Sequence, residues 1–196
     1  MSNTAIRAEA EKTVKVVRGQ HHKFQLIPIM ERNAEFFPAG PVTFGIEGRA
    51  LGIPGGNIGE RGASLHVFNA DRSEEWLRFD CFGKVPHYHY ILHHQRQNIV
   101  WGYDSTANGP MLPWVMQVIR TRLPAMLRAA GASSLADQVE AQGVNGSVLT
   151  KVEQAMIEAD RKTLPGSDGL DDKMREGMDW MRQWKQLHPE FNTVDE

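Results

Sequence analysis

The feature that most constrains this chain is a change of period at Asn108-Gly109-Pro110. Before it, short apolar or alternating stretches (24–29, 42–46, 64–68, 76–82, 87–92 and 97–103) are separated by Pro, Gly, Asn and Asp. That spacing is a strand signature. No helix of normal length fits between the stretches, so antiparallel connections are favoured over parallel crossovers. After it, Val115, Val118, Ile119, Leu123, Met126, Leu127 and Ala130 recur at helical spacing and Gly131 closes the run. Pro124 inside this run predicts a kink or a break. A short helix is expected near 135–142 and a second from Ser147, with Val148, Val152, Ala155, Met156 and Ala159 on one side. The last is expected over 170–187, striped by Leu170, Met174, Met178, Met181, Trp184 and Leu187.

These patterns predict an α+β fold. Residues 1–109 form an antiparallel β-meander, half-barrel or cupin-like in shape, preceded by a short helix over 3–18. Residues 110–196 form a helical layer packed on it, the whole making one domain. A chain of 196 residues is long enough to bury a core of this kind.

Composition removes several function classes. A formal charge of −2 and a pI near 6.4 give no electrostatic reason to expect nucleic acid or an anionic membrane. No apolar run is long enough to span a bilayer, and residues 1–19 lack a signal-peptide core. Cys81 is the single cysteine, so no intrachain disulfide can form. A cytoplasmic location is the expectation. The Met and Trp stripe of the last helix suits a core or a dimer interface, and a homodimer through the C-terminal helices is predicted.

Chemistry concentrates in one stretch. His66, His87, His89, His93 and His94 fall between residues 66 and 103, with Tyr88, Tyr90 and Tyr103. A hairpin of 76–82 and 87–92 closed by 83–86 would set Phe82 opposite His87, Asp80 opposite His89 and Arg78 opposite Ile91. Pairing 64–68 with 76–82 would set His66 opposite Arg78 and Ser64 opposite Asp80. Alternation then sorts the residues onto two faces. One, with Leu65, Val67, Leu77, Phe79, Cys81, Tyr88, Tyr90 and Leu92, is a core face. The other carries Ser64, His66, Arg78, Asp80, His87 and His89, rimmed by Phe68, Trp76, Phe82 and Ile91, and is patterned as a pocket floor.

On that second face His87 and His89 stand two residues apart, their Cα atoms roughly 6.8 Å from each other on one side of a strand. That separation lets two imidazoles share one metal ion, with Asp80 as third ligand. His87-Tyr88-His89 resembles the HxH pair that cupin-type barrels place on a strand. The resemblance covers three residues, without the Gly-rich context, the spaced Glu and the second His of the usual cupin motif. Two histidines and a carboxylate suit a divalent Zn, Fe, Mn or Ni ion.

Three readings follow. In the first, Asp80, His87 and His89 hold a divalent metal in a small-molecule enzyme with lyase, hydrolase, isomerase or oxygenase chemistry. In the second, Asp80 and His89 form a metal-free acid–base pair, with Arg78 holding an anionic substrate by its carboxylate. In either, His66 and Trp76 complete the substrate wall. In the third, the face is structural and the protein is a non-catalytic, oligomerising or accessory subunit. Residues 52–62, rich in glycine, read as a flexible connection or a lid.

Overall fold

In the computed structural model the described residues are 28–52, 58–95 and 97–187. The helix expected over 3–18, His21, His22 and most of the stretch 24–29 lie outside them, as does the centre of the glycine-rich segment.

Six strands form one antiparallel sheet in chain order: β1 Ala34–Ala39, β2 Val42–Gly52, β3 Ile58–Asn69, β4 Glu75–Phe82, β5 His87–Leu92 and β6 Gln97–Gly102. Each strand pairs with the next, so the meander read from the sequence is the topology observed. β1 was not anticipated. Pro38 hides it, because proline cannot donate to a ladder, and β1 accommodates it by pairing on one side with β2. The sequence predicts a flexible connection or a lid over 52–62. Instead β2 and β3 extend into it, with Arg49 opposite Gly62 and Ala50 opposite Arg61. Gly62 has φ +148°, and a Cβ there would lie 2.4 Å from the Cys81 carbonyl oxygen, so only glycine fits.

The helices are α1 Ser105–Asn108, α2 Met111–Ala129, α3 Ser133–Gln142, α4 Gly146–Arg161 and α5 Leu170–Leu187. Helix α2 runs through Pro124 without the expected break. The proline removes one backbone donor, while eight buried residues from Met111 to Leu127 seat the helix on both sides of it. Asn145 caps α4 by accepting a hydrogen bond from the Ser147 backbone N–H.

The core lies between the sheet and helices α2, α3 and α4. Val42, Phe44 and Ile46 of β2, Leu65 and Val67 of β3, and Leu77 and Phe79 of β4 meet Val115, Ile119, Leu123, Leu135, Val152 and Met156. Gly48 continues the core-facing series of β2. A Cβ at that position would fall 2.8 Å from the Ala159 carbonyl oxygen, so its absence lets the end of α4 close onto the strand.

Helix α5 docks on the far end of β2, where Ala50, Leu170 and Met174 form a small separate cluster. Arg32 and Asn33 bind Glu176, and Trp180 Nε1 donates to the Pro28 carbonyl at 3.4 Å. Part of the stripe expected to face a second subunit is therefore spent within the chain. Met178, Trp180, Met181 and Trp184 remain half-buried. No described helix is long and apolar enough to cross a membrane.

Candidate metal centre

The sheet face opposite helices α2, α3 and α4 carries an interior polar band, contributed by side chains of successive strands. From β2 come Glu47 and Arg49, from β3 Ser64 and His66, from β4 Glu75, Arg78 and Asp80, from β5 His87 and His89, and from β6 Asn98. The β3–β4 register is the one the sequence implies, with Ser64 opposite Asp80 and His66 opposite Arg78.

The β4–β5 register differs from the expectation by two residues. His87 lies opposite Asp80, and His89 opposite Arg78. The cause is the connection at 83–85, which is tied back towards β3 rather than closed as a tight turn. Gly83 N–H donates to the Arg61 carbonyl (3.0 Å) and Val85 N–H to Glu60 Oε2 (3.1 Å). A two-residue shift preserves every side chain's face, so the sorting into core and polar sides survives it.

The band is not an open pocket floor. Asp80 is 2% exposed, His87 3%, His89 1%, and His66 not at all. Phe68, Phe82 and Ile91, expected as its rim, are themselves buried.

Trp76 is not brought to this face. A register irregularity between Val67 and Phe68 pairs Phe68 with Glu75 rather than with Trp76. Trp76 consequently packs in the helix-side core, its ring edge-on to His93 at 4.6 Å between centroids. Glu75 takes the polar position in its place. It binds Arg78 through two hydrogen bonds of 2.8 Å, so the guanidinium fork expected to hold a substrate carboxylate already holds one.

His66 is clamped rather than open to ligand. Its Nδ1 lies 2.7 Å from Glu75 Oε1 and its Nε2 3.2 Å from Glu47 Oε1. A carboxylate oxygen thus stands at each ring nitrogen. Arg49 pairs with the same Glu47 oxygen. Burial works against the Glu47 charge, but Arg49, His66 and the Met30 N–H outweigh it and hold the carboxyl down to about 2. Glu75 is likewise held low, burial being overcome by Arg78 and His66.

Asp80, His87 and His89 converge. Asp80 Oδ2 stands 3.2 Å from His87 Nε2 and 3.0 Å from His89 Nε2. Asp80 Oδ1 accepts from Ser64 Oγ at 2.5 Å. His87 Nδ1 is 2.7 Å from the Val85 carbonyl, and His89 Nδ1 is 2.9 Å from Asn98 Oδ1. One ligand atom from each of the three residues lies within 4.8 Å of the other two, and the group could hold a metal ion. Burial opposes the Asp80 charge, yet contacts with His87 and His89 and the charge of Arg49 keep the carboxyl well below its ordinary range. Burial pulls His89 below the usual imidazole value despite Asp80.

Glu47, Glu75 and Asn98 were missed by sequence reasoning. Glu47 was legible in principle, because Val42, Phe44 and Ile46 alternate onto the core face and leave position 47 on the other. Glu75 was not, since it reaches the band through an irregularity in strand pairing. Asn98 required the pairing of β5 with β6.

Fold and site together define an α+β protein with a buried carboxylate–histidine centre on one sheet face. A family described as Domain of unknown function (DUF7700) matches residues 36–156, and the chain belongs to it. That span contains every member of the polar band and stops short of α5. No curated protein and no solved structure matches the chain.

Proposed function

We propose that this protein is a metal-dependent enzyme acting on a small molecule, with Asp80, His87 and His89 as the ligands of one divalent ion, Zn, Fe, Mn or Ni. The observation that supports the reading is the orientation of the two rings. A backbone carbonyl only accepts, so His87 Nδ1 carries the proton it shares with Val85. Asn98 Oδ1 plays the same part for His89. Both Nε2 atoms then converge on one carboxylate oxygen, Asp80 Oδ2, where all three groups could share an ion. Anchored Nδ1–H groups with convergent Nε2 atoms are the usual outer support of metal-bound histidines. Ligand-to-ligand separations of 3.0 and 3.2 Å suit ligands about 2.0–2.2 Å from a common ion. Such an ion would act as a Lewis acid, polarising a substrate oxygen.

In this reading Ser64 and Asn98 are positioning residues, and Arg49 and Arg78 set the charge around the centre. A metal-free acid–base pair is the second reading, favoured by the direct approach of His89 to Asp80 and by the burial that keeps its ring neutral. Assembly as a homodimer through α5 belongs to the same proposal, supported by its half-buried Met178, Met181 and Trp184.

Elemental analysis of the purified protein tests the metal. One equivalent of transition metal, lost in the H87A/H89A double variant with circular dichroism unchanged, is the expected result. An equivalent retained by that variant rules these ligands out.

A further inference from the structure

We propose that the groove between helix α2 and strand β5, on the sheet face away from the carboxylate–histidine centre, binds a small aromatic carboxylate. This site is separate from the candidate metal centre and does not depend on the metal reading.

The groove follows from where the helical layer stops. Helix α2 packs on β4, and β5 and β6 lie beyond it towards the edge of the sheet. Tyr88 and Tyr90 alternate with His87 and His89 along β5, so they point to the helix side. Trp114, Gln117, Thr121 and Arg122 recur at helical spacing on the side of α2 that faces them. The space enclosed is about 530 Å³, within the range of small-molecule sites.

Three rings line it as a continuous surface. Tyr88 and Tyr90 meet edge to face with centroids 5.8 Å apart, and Tyr88 lies 5.4 Å from Trp114. All three are half-buried, so each keeps apolar area in water that a stacked ring would cover.

Charge selects the ligand further. Every other described arginine has a partner within the chain. On α2 itself Arg120 pairs with Glu153, and Arg128 with Asp137 and Glu140. Arg122 makes no ion pair or hydrogen bond among the described residues, and it is the one charged side chain among those lining the groove. The hydroxyls of Tyr88 and Tyr90 also have no hydrogen-bond partner among the described residues. Burial raises the Tyr88 phenol, and burial followed by Tyr88 pushes Tyr90 up to about 12, so both remain O–H donors at neutral pH. Two unused donors and an unpaired guanidinium, with no acid beside them, complement a carboxylate. A neutral ring would leave Arg122 without a counterion, and an aliphatic acid would stack poorly on the rings.

The test follows the Trp114 indole N–H resonance by NMR in the full chain, assigned by its loss in Trp114→Phe. Naphthoate, neutral naphthamide and the saturated analogue decalin carboxylate are titrated separately. Naphthoate should shift the resonance saturably with a Kd on the order of 1 mM or below. Naphthamide should bind weaker by on the order of tenfold, and decalin carboxylate by about fivefold. Arg122→Gln, a substitution at an exposed position, should weaken naphthoate by on the order of tenfold and leave naphthamide unchanged. No response of Trp114 to naphthoate, or naphthoate binding that Arg122→Gln alters by less than about twofold, overturns the proposal. Naphthamide matching naphthoate assigns the groove to neutral rings, and decalin carboxylate matching it assigns the groove to anions of any skeleton. Either result overturns the aromatic carboxylate.

Discussion

Glu75 and Arg78 stand three residues apart on β4, yet their side chains meet on one face of the sheet through two hydrogen bonds of 2.8 Å. Residues three apart on a regular strand point to opposite faces. The register irregularity opposite Val67 and Phe68 inserts one residue, moves Trp76 to the core, and turns Glu75 onto the polar band. Without it, Arg78 and His66 would lose the carboxylate they share. Glu75→Ala is therefore expected to destabilise the protein by about 3–5 kcal/mol, the usual cost of leaving a buried charge unpaired. Urea denaturation measures it. A loss below about 1 kcal/mol would mean that water replaces the carboxylate freely.

In the metal reading, Asn98 would orient His89 without touching the ion. Asn98→Ala should weaken metal affinity by about 10–100-fold while leaving one equivalent bound at saturation. Competition against a chromophoric chelator reads the change. Affinity unaltered by the substitution would show that the ring is held by packing alone.

Acid sensitivity follows from Glu47. Its carboxyl lies at about 2 in the folded chain against an ordinary value of 4.5. A depressed carboxylate contributes stability above its unfolded pKa, and that contribution disappears as pH falls through the folded value. Glu47 should thus supply roughly 3 kcal/mol at neutral pH, shrinking between about pH 4.5 and 2. Glu47→Gln should lose most of this dependence, and thermal melts across that range compare the two. Parallel pH profiles for variant and parent would assign the acid transition to other groups.

Cys81 packs against the core, and burial, with the charges of Asp80 and Asp160, pushes its thiol well above the ordinary range. Little thiolate forms at pH 8, so a disulfide reagent should label native protein at least about tenfold more slowly than unfolded protein. Equal rates would place Cys81 away from the core and call the face assignment of β4 into question.

The proposed homodimer predicts twice the 22.1 kDa chain mass in sedimentation at micromolar concentration. A monomer would return the half-buried residues of α5 to the role they already share with Ala50, Leu170 and Met174.

Local pattern carried a large part of the fold. Alternation over 64–68 and 76–82 identified β3, β4 and their pairing, and the 3.6-residue spacing after Pro110 identified α2 to α5. His87, His89 and Asp80 were legible as one constellation because side-chain parity survives a register error of two residues. What failed was whatever parity does not encode. Trp76 and Glu75 exchanged faces through a single inserted residue, and β1 was masked by Pro38.

Residue type and spacing alone therefore determined which side chains share a face, since a strand repeats every two residues and a helix every 3.6. Only tertiary structure decided that the polar face is interior, that Glu75 already occupies the Arg78 fork, and that Val85 and Asn98 aim two histidines at one oxygen. Those outcomes depend on how strands are joined and what lies across the sheet. The free energy of a buried charge is set by its neighbours in space, most of which are distant along the chain.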